Sequence, residues 1–125
     1  MEGQEQMSAC DCCNTADLCI PQGATFSRVI RYSKDGDEVN LTGFTARMQL
    51  RPTAASATTT LSLTTENTRI ALGGVAGTIT LSISATDTAA IAAGRYVYDL
   101  ELVSAGGIVT RLLQGVVTVS ANVTR

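Results

Sequence analysis

The stretch Gly94-Arg-Tyr-Val-Tyr-Asp-Leu-Glu-Leu-Val103 decides the fold. Tyr96, Tyr98, Leu100 and Leu102 alternate with Val97, Asp99, Glu101 and Val103. Strict period-two alternation, rich in aromatic and branched side chains, is the signature of a β-strand with one face buried. Two of the three tyrosines lie here, in a chain with no Trp and two Phe, so the large rings concentrate in one strand. That concentration places the strand at the centre of a sheet. Ala105-Gly106-Gly107 closes it and a second apolar run, Ile108 to Val119, follows at once, so the two pair as a hairpin.

Outward from this hairpin the same period recurs. Thr25 to Tyr32 sets Phe26, Arg28, Ile30 and Tyr32 against Ser27, Val29 and Arg31. Ser33-Lys-Asp-Gly36 is a turn in which Gly36 can take a positive φ. A short extended piece, Val39 to Thr42, ends at Gly43. Thr45 to Arg51 turns Ala46, Met48 and Leu50 inward, and Pro52 stops it because proline cannot donate to a central ladder. Leu61 with Leu63 and Ile70 with Leu72 mark two short strands around Glu66-Asn67, and Thr78 to Ser84 turns Ile79, Leu81 and Ile83 inward. The period changes only at Ser84 to Gly94, where an alanine-rich run predicts a two-turn helix with hydroxyl caps and Gly94 as its C-cap. In the last strand the inward phase switches near Gly115, which predicts a β-bulge there. The fold class that follows is all-β: a single antiparallel β-sandwich, Ig-like or jelly-roll-like, of about seven or eight strands with one short helix. Residues 22–125 form that domain, and residues 1–21, different in composition, read as a cysteine-rich N-terminal arm.

Composition excludes more chemistry than it suggests. The 125 residues are 45% hydrophobic and 16% charged, which describes a folded domain, not a disordered one. A net charge of −2, one lysine and eight scattered arginines leave no basic footprint for nucleic acid. No run is long and apolar enough to cross a bilayer, and the acidic start is no secretory signal, so a soluble, non-membrane protein is expected. With no histidine the usual general base is missing. Asp99 and Glu101 share a strand face but have no catalytic partner, so they read as exposed charges or arginine partners. No serine lies in a nucleophile elbow, and the glycine doublets Gly73-Gly74 and Gly106-Gly107 lie in turns instead of ahead of helices. Nothing argues for an enzyme or a cofactor.

The one conspicuous constellation is Cys10-Asp-Cys-Cys-Asn-Thr-Ala-Asp-Leu-Cys19. Cys10, Cys12, Cys13 and Cys19 could hold a structural zinc or an iron–sulfur cluster, but only Cys10 and Cys13 have a zinc-site spacing. Adjacent Cys12 and Cys13 bond each other poorly and suit two different partners. The arm therefore reads as a source of disulfides between chains, with reduced thiols as the alternative in a cytosolic setting.

From Gln22 onward the chain resembles a family of small β-sandwich virion proteins of tailed bacteriophages and prophages, and is similar to the N-terminal domain of upper baseplate proteins. The likeness rests on Gln22-Gly-Ala-Thr-Phe26, Lys34-Asp-Gly36 and Val39-Asn-Leu-Thr-Gly-Phe-Thr-Ala-Arg-Met-Gln-Leu-Arg51. It continues through Asp87-Thr88, Gly94-Arg-Tyr-Val-Tyr-Asp-Leu100, Gly115-Val-Val-Thr-Val-Ser120 and Val123-Thr-Arg125. The resemblance implies a non-enzymatic virion component of tail, baseplate or neck. Such a protein is assembled in the host cytoplasm, with other virion proteins and further copies of itself as partners. It supplies no catalytic residues and no precedent for the cysteine arm. A capsid decoration protein is the first alternative. A receptor- or carbohydrate-binding module is the second, disfavoured by the missing aromatic stacking platforms.

Overall fold

The computed structural model describes residues 15–124. Ten strands lie among them: β1 (Leu18–Pro21), β2 (Phe26–Arg31), β3 (Ser33–Lys34), β4 (Asp37–Glu38), β5 (Thr45–Arg51), β6 (Leu61–Thr64), β7 (Ile70–Leu72), β8 (Thr78–Ile83), β9 (Gly94–Val103) and β10 (Val109–Ser120). A five-stranded sheet, ordered β1-β10-β9-β5-β6, and a three-stranded sheet, ordered β2-β8-β7, supply the two layers. β3 and β4 form a separate hairpin whose turn residues Asp35 and Gly36 both take positive φ, 53° and 86°. The all-β class is therefore as expected, and β9 occupies the middle of its sheet between β10 and β5.

The alternation explains the layers. Tyr98, Leu100 and Leu102 of β9, Met48 and Leu50 of β5, Leu63 of β6 and Val117 of β10 are all buried. Ile30 of β2, Ile70 of β7 and Ile79, Leu81 and Ile83 of β8 join them in one core. Each fully buried aliphatic side chain contributes on the order of 1.5–3 kcal/mol.

Three details depart from the sequence reading. Leu18–Pro21, assigned there to the arm, is a strand that pairs with β10 in parallel, Leu18 opposite Val117 and Ile20 opposite Val119, so one pairing of the sandwich is not antiparallel. Leu18 and Ile20 are buried in the core, and this local alternation was legible but outweighed by the cysteine-rich surroundings. Pro21 is tolerated because Ala16 N–H donates to Gln114 O (3.0 Å) and Gln22 N–H to Ser120 O (2.9 Å). Even-numbered amides thus face β10, and the missing donor falls on the open side. The bulge lies between Arg111 and Leu113, not at Gly115, so that Leu112 and Leu113 are both buried. The helix, α1 (Ala85–Ala89), is shorter than expected and its C-cap is Ala90, not Gly94; Gly94, at φ 150°, opens β9, as its place ahead of the alternating stretch implies. The two short strands expected around Glu66-Asn67 are present as β6 and β7, in opposite sheets, joined by a turn in which Asn67 Oδ1 accepts from Thr64 N (2.9 Å) and Arg69 N (3.0 Å).

The crossing from β1 to β2 is held by a polar junction. Gln22 Nε2 donates to Ile91 O (2.8 Å), and its Oε1 accepts from Asn122 N (3.0 Å). Thr88 of α1, fully buried, accepts from Gly23 N (3.0 Å) and donates to Ala24 O (2.8 Å). Asp87 beside it is held below its ordinary carboxylate range, chiefly by the hydrogen bond from Arg69, 2.7 Å away. Two of the stretches that carry the resemblance, Gln22-Gly-Ala and Asp87-Thr88, therefore meet in space. Thr88→Val keeps the shape but leaves Gly23 N–H without its acceptor, a loss of about 1–3 kcal/mol. Urea denaturation should show that loss, and Thr88→Ser should recover most of it.

Candidate docking surfaces

The outward residues of the five-stranded sheet form a concave polar face. Arg47, Gln49 and Arg51 of β5, Val97, Asp99 and Glu101 of β9, and Arg111, Gln114 and Val116 of β10 line a groove of about 860 Å³, rimmed by Thr15, Ala54 and Thr64. Charges of opposite sign face each other across strands. Arg47 Nε lies 2.8 Å from Glu101 Oε1, its direct neighbour in register, and Arg111 Nε lies 3.6 Å from Asp99 Oδ2. Arg51 donates to uncharged oxygens, Ser56 O (2.9 Å) and Gln49 Oε1 (2.7 Å). Asp99 and Glu101 thus take arginine partners, as the sequence reading expected. Half-exposed pairs of this kind contribute at most about 1 kcal/mol each. They leave charges of both signs on this face, and salt weakens their attraction.

The cysteines divide. Cys19 lies on β1 at the open edge of this sheet, exposed, with a free thiol. Cys10, Cys12 and Cys13 lie outside the described residues. Among the described residues no three His, Cys, Asp or Glu side chains converge as a metal site, and no helix is long and apolar enough to cross a membrane. Immediately upstream of β1, the chain is fastened to the sheet by two side-chain bonds that the sequence pattern does not show. Tyr98 Oη donates to Ala16 O (2.6 Å), and Asp17 Oδ1 accepts from Val116 N (3.1 Å). The Tyr98 phenol is pushed well above its ordinary range, first by burial and then by the charge of Asp17. Tyr98 was legible as a core residue; its bond to the incoming chain was not, because the two lie 82 residues apart.

The four strand edges differ in how they are closed. At β6, Ser62 O accepts from Asn67 Nδ2 (3.0 Å) and from Arg69 Nη1 (3.0 Å), and Thr64 N–H is bound by Asn67. β1 is short and carries Pro21, and β7 has three residues. β2 has six residues, no proline and no bulge in its register with β8.

The fold has counterparts among solved structures. The chain is similar to the N-terminal domain of phage TP901-1 ORF48. The TM-score is 0.58, and the match covers 92% of this chain and 94% of that domain. At 14% identity the likeness is one of fold, and it agrees with the resemblance carried by Gln22 to Arg125. No protein-family model matches the sequence, and no curated protein matches it.

Proposed function

We propose that this chain is a non-enzymatic structural protein of a phage virion, a tail, baseplate or neck component that anchors fibres or neighbouring subunits. The observation that carries this reading is the likeness, over almost the whole of both chains, to a domain of a phage protein. The rest of the molecule is in keeping with it. Its carboxylates on the concave face are tied to arginines, the chain has no histidine, and its polar face and open edge suit docking to other proteins. In this reading the sandwich provides rigid faces, while Cys10, Cys12, Cys13 and Cys19 remain reduced in the host cytoplasm and link chains after release.

The deciding measurement is the copy number of this chain in purified particles. A count near that of neck or baseplate rings supports the reading. A count comparable to the major capsid protein assigns shell decoration instead, and absence from the particle overturns both. For the arm, changing all four cysteines to serine should leave the isolated domain folded. A ladder of linked chains on non-reducing gels should vanish, and the particles should lose resistance to heat or chaotropes. Particles of unchanged resistance would sink the cross-linking role.

A further inference from the structure

We propose that β2 pairs, edge to edge and antiparallel, with β2 of a second copy of this chain, about a twofold axis at Val29. The parity of the strand is the first argument. Tyr32 N–H donates to Gly77 O (2.8 Å), which continues the register of β2 with β8 by one step. Even-numbered residues therefore turn their N–H and C=O groups toward β8, and Ser27, Val29 and Arg31 turn theirs to the open side. No other described strand lies beyond β2 in its sheet. An edge of this length, with no proline or bulge and, among the described residues, no side-chain cap, is a template for a further strand.

Self-complementarity selects a second copy as the occupant. With Val29 on the axis, Val29 faces the partner's Val29, and Ser27 faces the partner's Arg31 on either side. Each of these is a pair that exchanges both backbone hydrogen bonds. The exposed side chains agree with that arrangement. Val29, 45% exposed despite its apolar character, meets an identical group, a favourable cross-strand pair of β-branched residues. Arg31 meets a hydroxyl and not another arginine, so no like charges stand opposite each other. The contact is isologous and closes after two copies, extending the three-stranded sheet across the axis. A contact made by one six-residue edge strand is small against the ~1,200–2,000 Å² of a stable interface, so the dimer is weak in free solution and strengthened wherever copies are held close together. The pairing needs only the isolated chain, so it stands or falls separately from the virion reading.

Sedimentation of the full chain up to millimolar concentration, in reductant, should show a monomer–dimer equilibrium. The amides of Ser27, Val29 and Arg31 should become slower to exchange as concentration rises. Val29→Lys sets two ammonium groups against each other on the axis, and Val29→Pro removes an outward donor that β8 does not use; both should be monomeric. Should Val29→Pro fail to fold, Val29→Lys decides alone. A chain that stays monomeric at every concentration overturns the pairing, as does a dimer that survives Val29→Lys or leaves those amides unprotected.

Discussion

Replacing Leu100 with alanine lowers the free energy of unfolding by about 2–5 kcal/mol. Leu100 sits in the middle strand of the larger sheet, with Met48 opposite on β5 and Leu113 opposite on β10. It has no exposed surface. Removing its branched end loses the transfer energy of those carbons and leaves a cavity that two flanking strands, each hydrogen-bonded to β9, cannot collapse to fill. Domains of this size are stable by only ~5–15 kcal/mol, so the change takes a large share of the total. Chemical denaturation followed by far-ultraviolet circular dichroism measures it. Ile108→Ala serves as the control, because Ile108 is 71% exposed in the β9–β10 turn and its truncation should stay within about 0.5 kcal/mol. A loss below that control value at Leu100 would mean that β9 is not the centre of the core.

Gly115→Ala detaches the leading end of β1. A Cβ at this position would lie 2.3 Å from the carbonyl oxygen of Ala16 and 3.0 Å from its carbon. Both obstacles are backbone, so the incoming chain itself must move. Overpacking of this kind costs roughly 1–3 kcal/mol. The displaced segment also gives up the bonds from Tyr98 Oη to Ala16 O and from Val116 N to Asp17 Oδ1, each worth roughly 0.5–1.5 kcal/mol net, or somewhat more for the charged acceptor. Two readouts separate this from general destabilisation. Limited proteolysis should cut between Thr15 and Pro21 while the rest of the domain resists. The Tyr98 phenol, raised by burial and by Asp17, should titrate closer to the ordinary tyrosine value of about 10 once that segment leaves. If Tyr98 titrates as before and the segment stays protected, the close approach at Gly115 is relieved in some other way.

Gly115 also marks where reading a sequence one strand at a time stops. Its position suggested a bulge, since an interruption in an apolar alternation is the only trace that such a glycine leaves in the chain. The actual bulge falls at Leu112, three residues earlier, where two consecutive buried leucines shift the phase. The glycine is needed for a different reason, the passage of a strand from the opposite end of the sequence. Likewise the local pattern showed β1 as Leu18 and Ile20 alternating with Cys19 and Pro21, but a run that short carries little weight until a neighbour covers it. The helix is one turn and not two: the alanines of Ala85 to Ala93 favour helix locally, but α1 ends at Ala89 and residues 90–93 lead into β9 without helical structure.

For the candidate docking surfaces the division is similar. That Asp99 and Glu101 face outward on one strand was plain from their spacing; that Arg47 and Arg111 answer them depends on register between strands up to 54 residues apart. Cys19 was visible as a thiol among four, but only the fold puts it on an exposed sheet edge. The sequence by itself determined the class of the protein: alternating apolar residues make strands, their inward faces make two sheets bury each other, and the absence of histidine leaves no ordinary general base. Only the tertiary structure decided which strand joins which sheet, that the N-terminal strand runs parallel to the last, and which edge is left open. Those outcomes depend on hydrogen bonds and contacts between residues far apart in the chain, and local periodicity records which face of a strand is buried without recording its neighbour.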